Sequence, residues 1–259
     1  MTTTTVTPVR VLRAELTKFR TLPSSAWSLL ATTALTIGIG VLYAMLRVSR
    51  PPQPGAPFDA TAVSLSGVQL AQFAVGILGV LLVTGEYGTG LIRATLVAVP
   101  GRLPVLWAKA AAVALTTLAA SLPGTVVAFF VGQRLLSRAH LDVSFGAPGV
   151  ARAVLGSAFY LAAVALFGLG LGTVLRNTAG AISALFGALF GLQLLGGLLP
   201  GSWSDHVYRY LPTPAGSAIT AVHPDPATSF GPWTGFGLFC GYVAAVLALA
   251  AWQLRRRDA

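Results

Sequence analysis

Six long stretches of this sequence carry no charged side chain and no histidine, and nothing constrains its fold more. They cover residues 21–46, 60–85, 110–133, 153–175, 177–204 and 226–254, each between 23 and 29 residues long. A helix needs about 20 apolar residues to cross a hydrocarbon core of roughly 30 Å, and a charge at the bilayer centre costs several kcal/mol. Each stretch can therefore hold one membrane span. Frequent Gly and Ala argues for closely packed helices and against the alternation of a β-barrel. The expected fold is all-α: a polytopic membrane protein with six transmembrane helices near 25–46, 62–84, 110–133, 153–175, 178–199 and 234–254.

Composition agrees. Of 259 residues 55% are hydrophobic and 9% charged, against about 25% charged in soluble domains. Disordered chains, soluble enzyme domains and disulfide scaffolds are thereby excluded. The net charge of +10 follows topology rather than nucleic-acid binding. With the N-terminus inside, eleven Lys and Arg fall on inner segments and six on outer ones, so both termini are expected to be cytoplasmic. Arg outnumbers Lys fifteen to two, which reads as a GC-rich coding bias without functional weight. The single Cys240 says nothing of redox compartment, and the first apolar run reads as an anchor, not a cleaved signal.

Three flanking segments stand out. Residues 7–22 read as an amphipathic helix at the inner interface, with Val9, Leu12, Leu16 and Phe19 on its apolar stripe. The loop 85–109 is too apolar for a tether; a short helix from about Gly90 to Val99, ended by Pro100, would carry Ile92, Leu96 and Val99 on one edge. Residues 200–233, rich in Pro and aromatics, are expected to form short re-entrant-like helices in the outer leaflet.

Chemistry is scarce. No phosphate-binding loop GxxxxGK[ST] is present, so the chain is not expected to be an enzyme or to hydrolyse ATP. Leu65-Ser66-Gly67-Val68-Gln69 imitates an ATPase signature within a span and is read as chance. Gly168, Gly170 and Gly172 suit helix packing better than a dinucleotide loop, and the GxxxG pairs Gly187/Gly191 and Gly237/Gly241 suit packing within the subunit or across a dimer. His140, His206 and His223 lack metal-site spacing, and Asp205 beside His206 reads as a loop pair. Neither a catalytic nor a metal site is expected. Polar candidates within the spans are Gln69, Gln72 and Gln193, which either pack or line a substrate path. With no Asp, Glu, His or Lys in the spans to bind a coupling ion, energy for transport would enter from outside the membrane.

The run from Val83 through Gly85-Glu86-Tyr87-Gly88-Thr89-Gly90 to Arg93, followed by Thr95, Leu96, Pro100, Arg102 and Lys109, resembles the ABC-2-type permease family of ABC exporters, closest to actinobacterial members. The resemblance covers essentially the whole chain, including the N-terminal helix with Arg13-Ala14-Glu15-Leu16-Thr17-Lys18. It implies a permease subunit in a bacterial plasma membrane, energised by a separate cytoplasmic ATPase that carries the ATP and Mg, and paired with a second permease copy or homologue. It further implies that 85–109 is the coupling loop and that Glu86, Tyr87, Gly90, Arg93, Leu96, Pro100 and Arg102 serve ATPase coupling: Glu86 and Tyr87 close the second span, Gly90 permits the turn, and Arg93 with Arg102 meets the ATPase or anionic headgroups. Beyond the lipid bilayer, ATPase and second permease, no nucleic-acid partner is implied. The rival expectation is a non-transporting immunity or regulatory subunit.

Overall fold

In the computed structural model, residues 8–21, 23–53, 58–91, 103–197, 207–223 and 229–256 are described. The helices in chain order are α1 (Pro8–Thr21), α2 (Pro23–Ser49), α3 (Ala60–Ser64), α4 (Val68–Thr89), α5 (Leu103–Leu136), α6 (Val150–Leu175), α7 (Thr178–Phe186), α8 (Leu192–Gly197), α9 (Pro212–Ser217) and α10 (Pro232–Arg256). A π-helical turn, Gly187–Gly191, joins α7 to α8. Among the described residues there is no strand. Six helices are long and apolar enough to cross a membrane: α2, α4, α5, α6, the α7–α8 unit and α10. The chain is an all-α, multi-pass membrane protein, and both ends of its described part lie at the same end of the bundle.

Helix α4 and helix α6 form the centre. They approach so closely that a Cβ added at Gly79 would sit 2.0 Å from the Ala165 carbonyl oxygen, and one at Gly168 would sit 2.1 Å from that of Gly76. Small residues permit this approach and dispersion holds it, since lipid supplies no hydrophobic drive between helices. Gly172 meets Val80 on the same seam, while Gly170 faces Val246 of α10. The glycines of 168–172 are thus packing residues. By contrast, Gly187, Gly191, Gly237 and Gly241 meet nothing within 4 Å, so neither GxxxG pair packs within the subunit.

The segment resembling an ATPase signature is a helix break. Residues 65–67 separate α3 from α4, and Gly67 presses against α2, where an added Cβ would lie 2.3 Å from the Thr36 carbonyl oxygen. Gln133 near the end of α5 stitches this corner together. Its amide donates to the Ala60 carbonyl and the Ser64 hydroxyl, both at 3.1 Å, and its oxygen accepts from the Val143 amide at 2.8 Å. Hydroxyls inside the spans, such as Thr32, Thr36, Thr84 and Ser157, donate to the carbonyl four residues earlier and so cost little to bury.

Exposed Trp27, Trp107 and Trp252 lie toward the α1 end; Tyr43, Tyr210 and Trp233 lie toward the other. These two sets match the aromatic belts of a bilayer's interfaces. Within 200–233 the described part is α9 and a 3₁₀ turn, Ala218–Thr220, with Thr213, Ala215, Gly216 and Ile219 buried. The expectation for this segment was short re-entrant-like helices in the outer leaflet; the described part holds short helical turns packed on the bundle.

Substituting Gly79 with Ala should cost about 1–3 kcal/mol or more, because backbone and not a flexible side chain stands in the way. The same change at Gly237 should leave stability unchanged within error. Thermal unfolding in detergent of the two variants measures the difference.

Candidate functional site at the α1 end

Helix α1 turns Leu12, Leu16 and Phe19 of its apolar stripe inward, as the pattern suggests, but leaves Val9 out and adds Val11 and Glu15 to the buried face. Val9 is 58% exposed, whereas Val11, Glu15 and Phe19 are buried and Leu12 and Leu16 pack partly on the core. A glutamate at the centre of the buried face requires partners, and it has them. Lys18 Nζ donates to Glu15 Oε1 at 2.9 Å and to Glu86 Oε1 at 2.8 Å. Lys109 Nζ donates to Glu15 Oε2 at 2.9 Å and to Glu86 Oε1 at 2.6 Å. The four side chains close a ring of alternating charge that joins α1, the last turns of α4 and the first turns of α5.

Position within the ring is graded. The side chains of Glu15 and Lys109 are 2% and 3% exposed, Glu86 11% and Lys18 38%. Two positive and two negative charges leave the ring neutral, which limits the cost of its burial. In general such pairs add little net stability over apolar packing, yet losing one partner costs about 3–5 kcal/mol because the other charge is stranded. The ring therefore fixes the register of three helices more than it stabilises them.

Burial pulls the Lys18 ammonium down, but hydrogen bonds and charge from Glu86 and Glu15 outweigh it and hold its pKa above the ordinary 10.5. A cation with a raised pKa stabilises the fold fully below its ordinary value and loses that contribution as pH climbs through the folded one. Solvent screening at this rim position keeps the contribution small.

The ring contains both lysines and both glutamates of the chain; apart from three histidines every other basic residue is arginine, and every other acid is aspartate. Each ammonium here touches two carboxylates, a task for a compact group with three tetrahedral donors. The planar guanidinium fork matches one carboxylate bidentately and is bulkier.

Beside the ring, the Arg176 guanidinium lies over the Tyr87 ring, 5.3 Å from its centroid. Arg176 closes α6 in the left-handed conformation, φ 52°, its amide donating to the Gly172 carbonyl at 2.9 Å. Asn177 then caps α7 through the Gly180 amide at 2.8 Å. This two-residue turn sets the guanidinium against α4.

Of the sequence-derived site residues, Glu86 and Tyr87 come together here, Glu86 facing α1 and α5 and Tyr87 facing α6. Gly90 ends α4 in the left-handed region at φ 74°, where glycine is the residue of choice. Arg93, Leu96, Pro100 and Arg102, with the helix expected from Gly90 to Val99, lie outside the described residues. The loop expected at 85–109 is shorter than its bounds, since α4 continues to Thr89 and α5 starts at Leu103. Of the three glutamines, Gln69 and Gln72 are bonded neighbours on α4, and Gln193 is bonded elsewhere, on α8. Gln72 is buried and committed, accepting from the Tyr160 hydroxyl and donating to the Gln69 carbonyl at 2.7 Å. Gln193 donates to the Tyr208 hydroxyl at 2.9 Å, and Gln69 is exposed. Among the described residues no group of three potential ligands could hold a metal. No protein-family model and no curated protein matches the sequence.

Replacing Lys109 with Met should destabilise the protein by about 3–5 kcal/mol, and Lys18 with Met by about 1 kcal/mol or less. Lys109→Arg should not restore the wild-type value. Stability of the wild type should fall above pH 10.5 by a component that Lys18→Met removes. Denaturant or thermal unfolding in detergent reads all of these.

Proposed function

We propose that the chain is the transmembrane permease subunit of an ATP-driven exporter of the ABC-2 type, energised by a separate cytoplasmic ATPase. One observation supports it above the rest: the Glu86–Lys109 ion pair closes the base of the segment between α4 and α5, and α1 is pinned to that base through Glu15 and Lys18. A mechanical input at the segment would then reach two spans and the N-terminal helix together. The six spans lack ionisable groups across their middle, which is consistent with energy delivered from outside the bilayer. The eleven-to-six basic bias supports a cytoplasmic α1 end, the side from which a soluble ATPase would act.

In this reading Ile92, Leu96 and Val99 are apolar anchors that enter a groove on the ATPase, and Arg93 and Arg102 meet its acidic rim. The permease works as a pair, with a second copy or a homologue, and ATP and Mg reside on the ATPase.

Two measurements test this. In a Cys240→Ser background, an impermeant thiol reagent applied to whole cells should label a cysteine at Ser144 and not one at Arg102; the reverse pattern would overturn the orientation. Where a soluble ABC ATPase is encoded beside this gene, its co-purification with the chain should be lost in Leu96→Asp. Arg93→Glu should weaken it in a way that fades as salt rises. Unchanged association in both variants would exclude the segment as the docking site.

A further inference from the structure

The end of the bundle away from α1 holds a cavity of about 470 Å³, within the roughly 300–1,000 Å³ usual for small-molecule sites. Ala60, Val143, Val150 and Val222 give it an apolar lining, to which Asp59, His140, Asp142 and His223 add their polar groups. Those four are all the aspartates and histidines among the described residues. They arrive from three separate segments: the start of α3, the connection between α5 and α6, and the chain just after the 3₁₀ turn Ala218–Thr220. Among the described residues no Lys or Arg lines the cavity, although the chain has 17 of them against 7 Asp and Glu. Its walls are fixed from behind. Gln133 holds Ala60 and Ser64 on one side and the Val143 amide on the other. Arg152 spends its guanidinium on the Ile219 and Ala221 carbonyls, which sets the chain before Val222 and His223. Two left-handed residues, His140 at φ 54° and Gly149 at φ 85°, bound the loop that carries Asp142. Walls held in advance spare a ligand the cost of ordering them.

We infer that this cavity is a binding site for an organic cation with an apolar body, an ammonium-bearing amphiphile. Asp59 gives one carboxylate oxygen to the Ala62 amide at 2.9 Å, the cap of α3, which leaves its second oxygen. Among the described residues neither aspartate is in an ion pair. Two carboxylates lining one cavity repel each other, and a cation held between them turns that repulsion into attraction. An imidazole nitrogen can accept from an ammonium N–H, and the apolar lining takes the body of the ligand. A metal ion does not fit, because among the described residues no three such side chains can close on one ion. The charge to be met is therefore carried by a larger group. An anion would face two carboxylates, and a neutral solute would leave both unanswered. The site stands apart from the segment between α4 and α5 and does not rest on the permease reading.

The test uses the full chain in phosphatidylcholine nanodiscs, with empty nanodiscs as the blank, and three probes of similar shape: 2-phenylethylammonium, 2-phenylethanol and phenylacetate. Saturation-transfer NMR titrations should show saturable binding of the ammonium, about tenfold weaker binding of the alcohol and none of phenylacetate. Equal affinity for the three probes, or no saturable binding of the ammonium, would overturn the proposal. Asp59→Asn and Asp142→Asn should each weaken the ammonium about tenfold and leave the alcohol unchanged. Asparagine caps a helix as well as aspartate does, so Asp59→Asn removes the charge and keeps the cap of α3. An unchanged ammonium affinity in either variant would sink the assignment. Should a variant fail to fold, the wild type gives the answer. Raising salt from about 50 to about 500 mM should weaken the ammonium and spare the alcohol, and an ammonium affinity indifferent to salt would overturn the site. The cavity walls are held by hydrogen bonds rather than ion pairs, so salt acts on the ligand and leaves the walls in place. No arm contains an ATPase, so a failure here leaves the exporter reading standing, and a failed co-purification leaves this site standing.

Discussion

A membrane bundle can be assembled from apolar helices and small residues alone, but nothing in such packing says where a helix outside the bilayer must sit. In this protein that position is set by charge. Glu15 and Lys109 meet at 2.9 Å with both side chains almost fully buried, and the partners that neutralise them, Lys18 and Glu86, come from the N-terminal helix and the end of the second span. Desolvating one such ion alone would cost several kcal/mol, so the buried Glu15, Lys109 and Glu86 depend on one another, with Lys18 completing the neutrality at the rim. Cooperativity of this kind selects one register for three helices. An apolar contact of similar area would have tolerated sliding.

The central seam works by the opposite principle. Helices α4 and α6 touch backbone to backbone at Gly79 and Gly168, with no charge and almost no hydrogen bonding between them. The other spans build outward from that pair: α2, α7–α8 and α10 leave much of their surface to lipid, with exposed Leu30, Leu42, Phe190, Leu194 and Leu249. Exposed apolar residues of this sort need no burial in a bilayer. The open GxxxG faces at Gly187 and Gly237 belong to this outer layer.

Much of this arrangement was legible because water and lipid discriminate so sharply. The intervals without charge mark each of the six spans, since an ion at mid-membrane is too costly to leave ambiguous, but not their ends: 60–85 becomes Val68–Thr89 and 110–133 lies within Leu103–Ala139. The helix-packing role of Gly168 and Gly172 was legible for the same reason: no strand precedes them. The ring was not. Its pairs are separated by 94, 68 and 23 residues, and no local period announces a contact of that range. The stripe Leu12, Leu16 and Phe19 was legible, Val9 excepted, but the burial of Glu15 beside it was not, because amphipathicity assumes that a charged residue faces water, and Glu15 faces Lys109 instead. A signal did exist in the composition. When fifteen bases are Arg and only two are Lys, and only two acids are Glu, the rare residues mark positions where geometry overrides the prevailing choice.

The far end of the bundle shows what a connection without that geometry looks like. There the Thr213 hydroxyl donates to the Leu189 carbonyl in the π-helical turn, and the Tyr160 hydroxyl donates to Gln72. The Arg152 guanidinium caps the carbonyls of Ile219 and Ala221, both at 2.9 Å. These are mainly neutral dipoles, with one cation answered by carbonyls rather than by a carboxylate. Screening acts on charge pairs and leaves short neutral hydrogen bonds largely untouched. Ionic strength and charge substitution should therefore act selectively on the α1 end while α9 and the 3₁₀ turn keep their seat. A bundle built this way concentrates its electrostatic sensitivity at one face, and that is the face where α1, the ends of α4 and α5, and Arg176 converge.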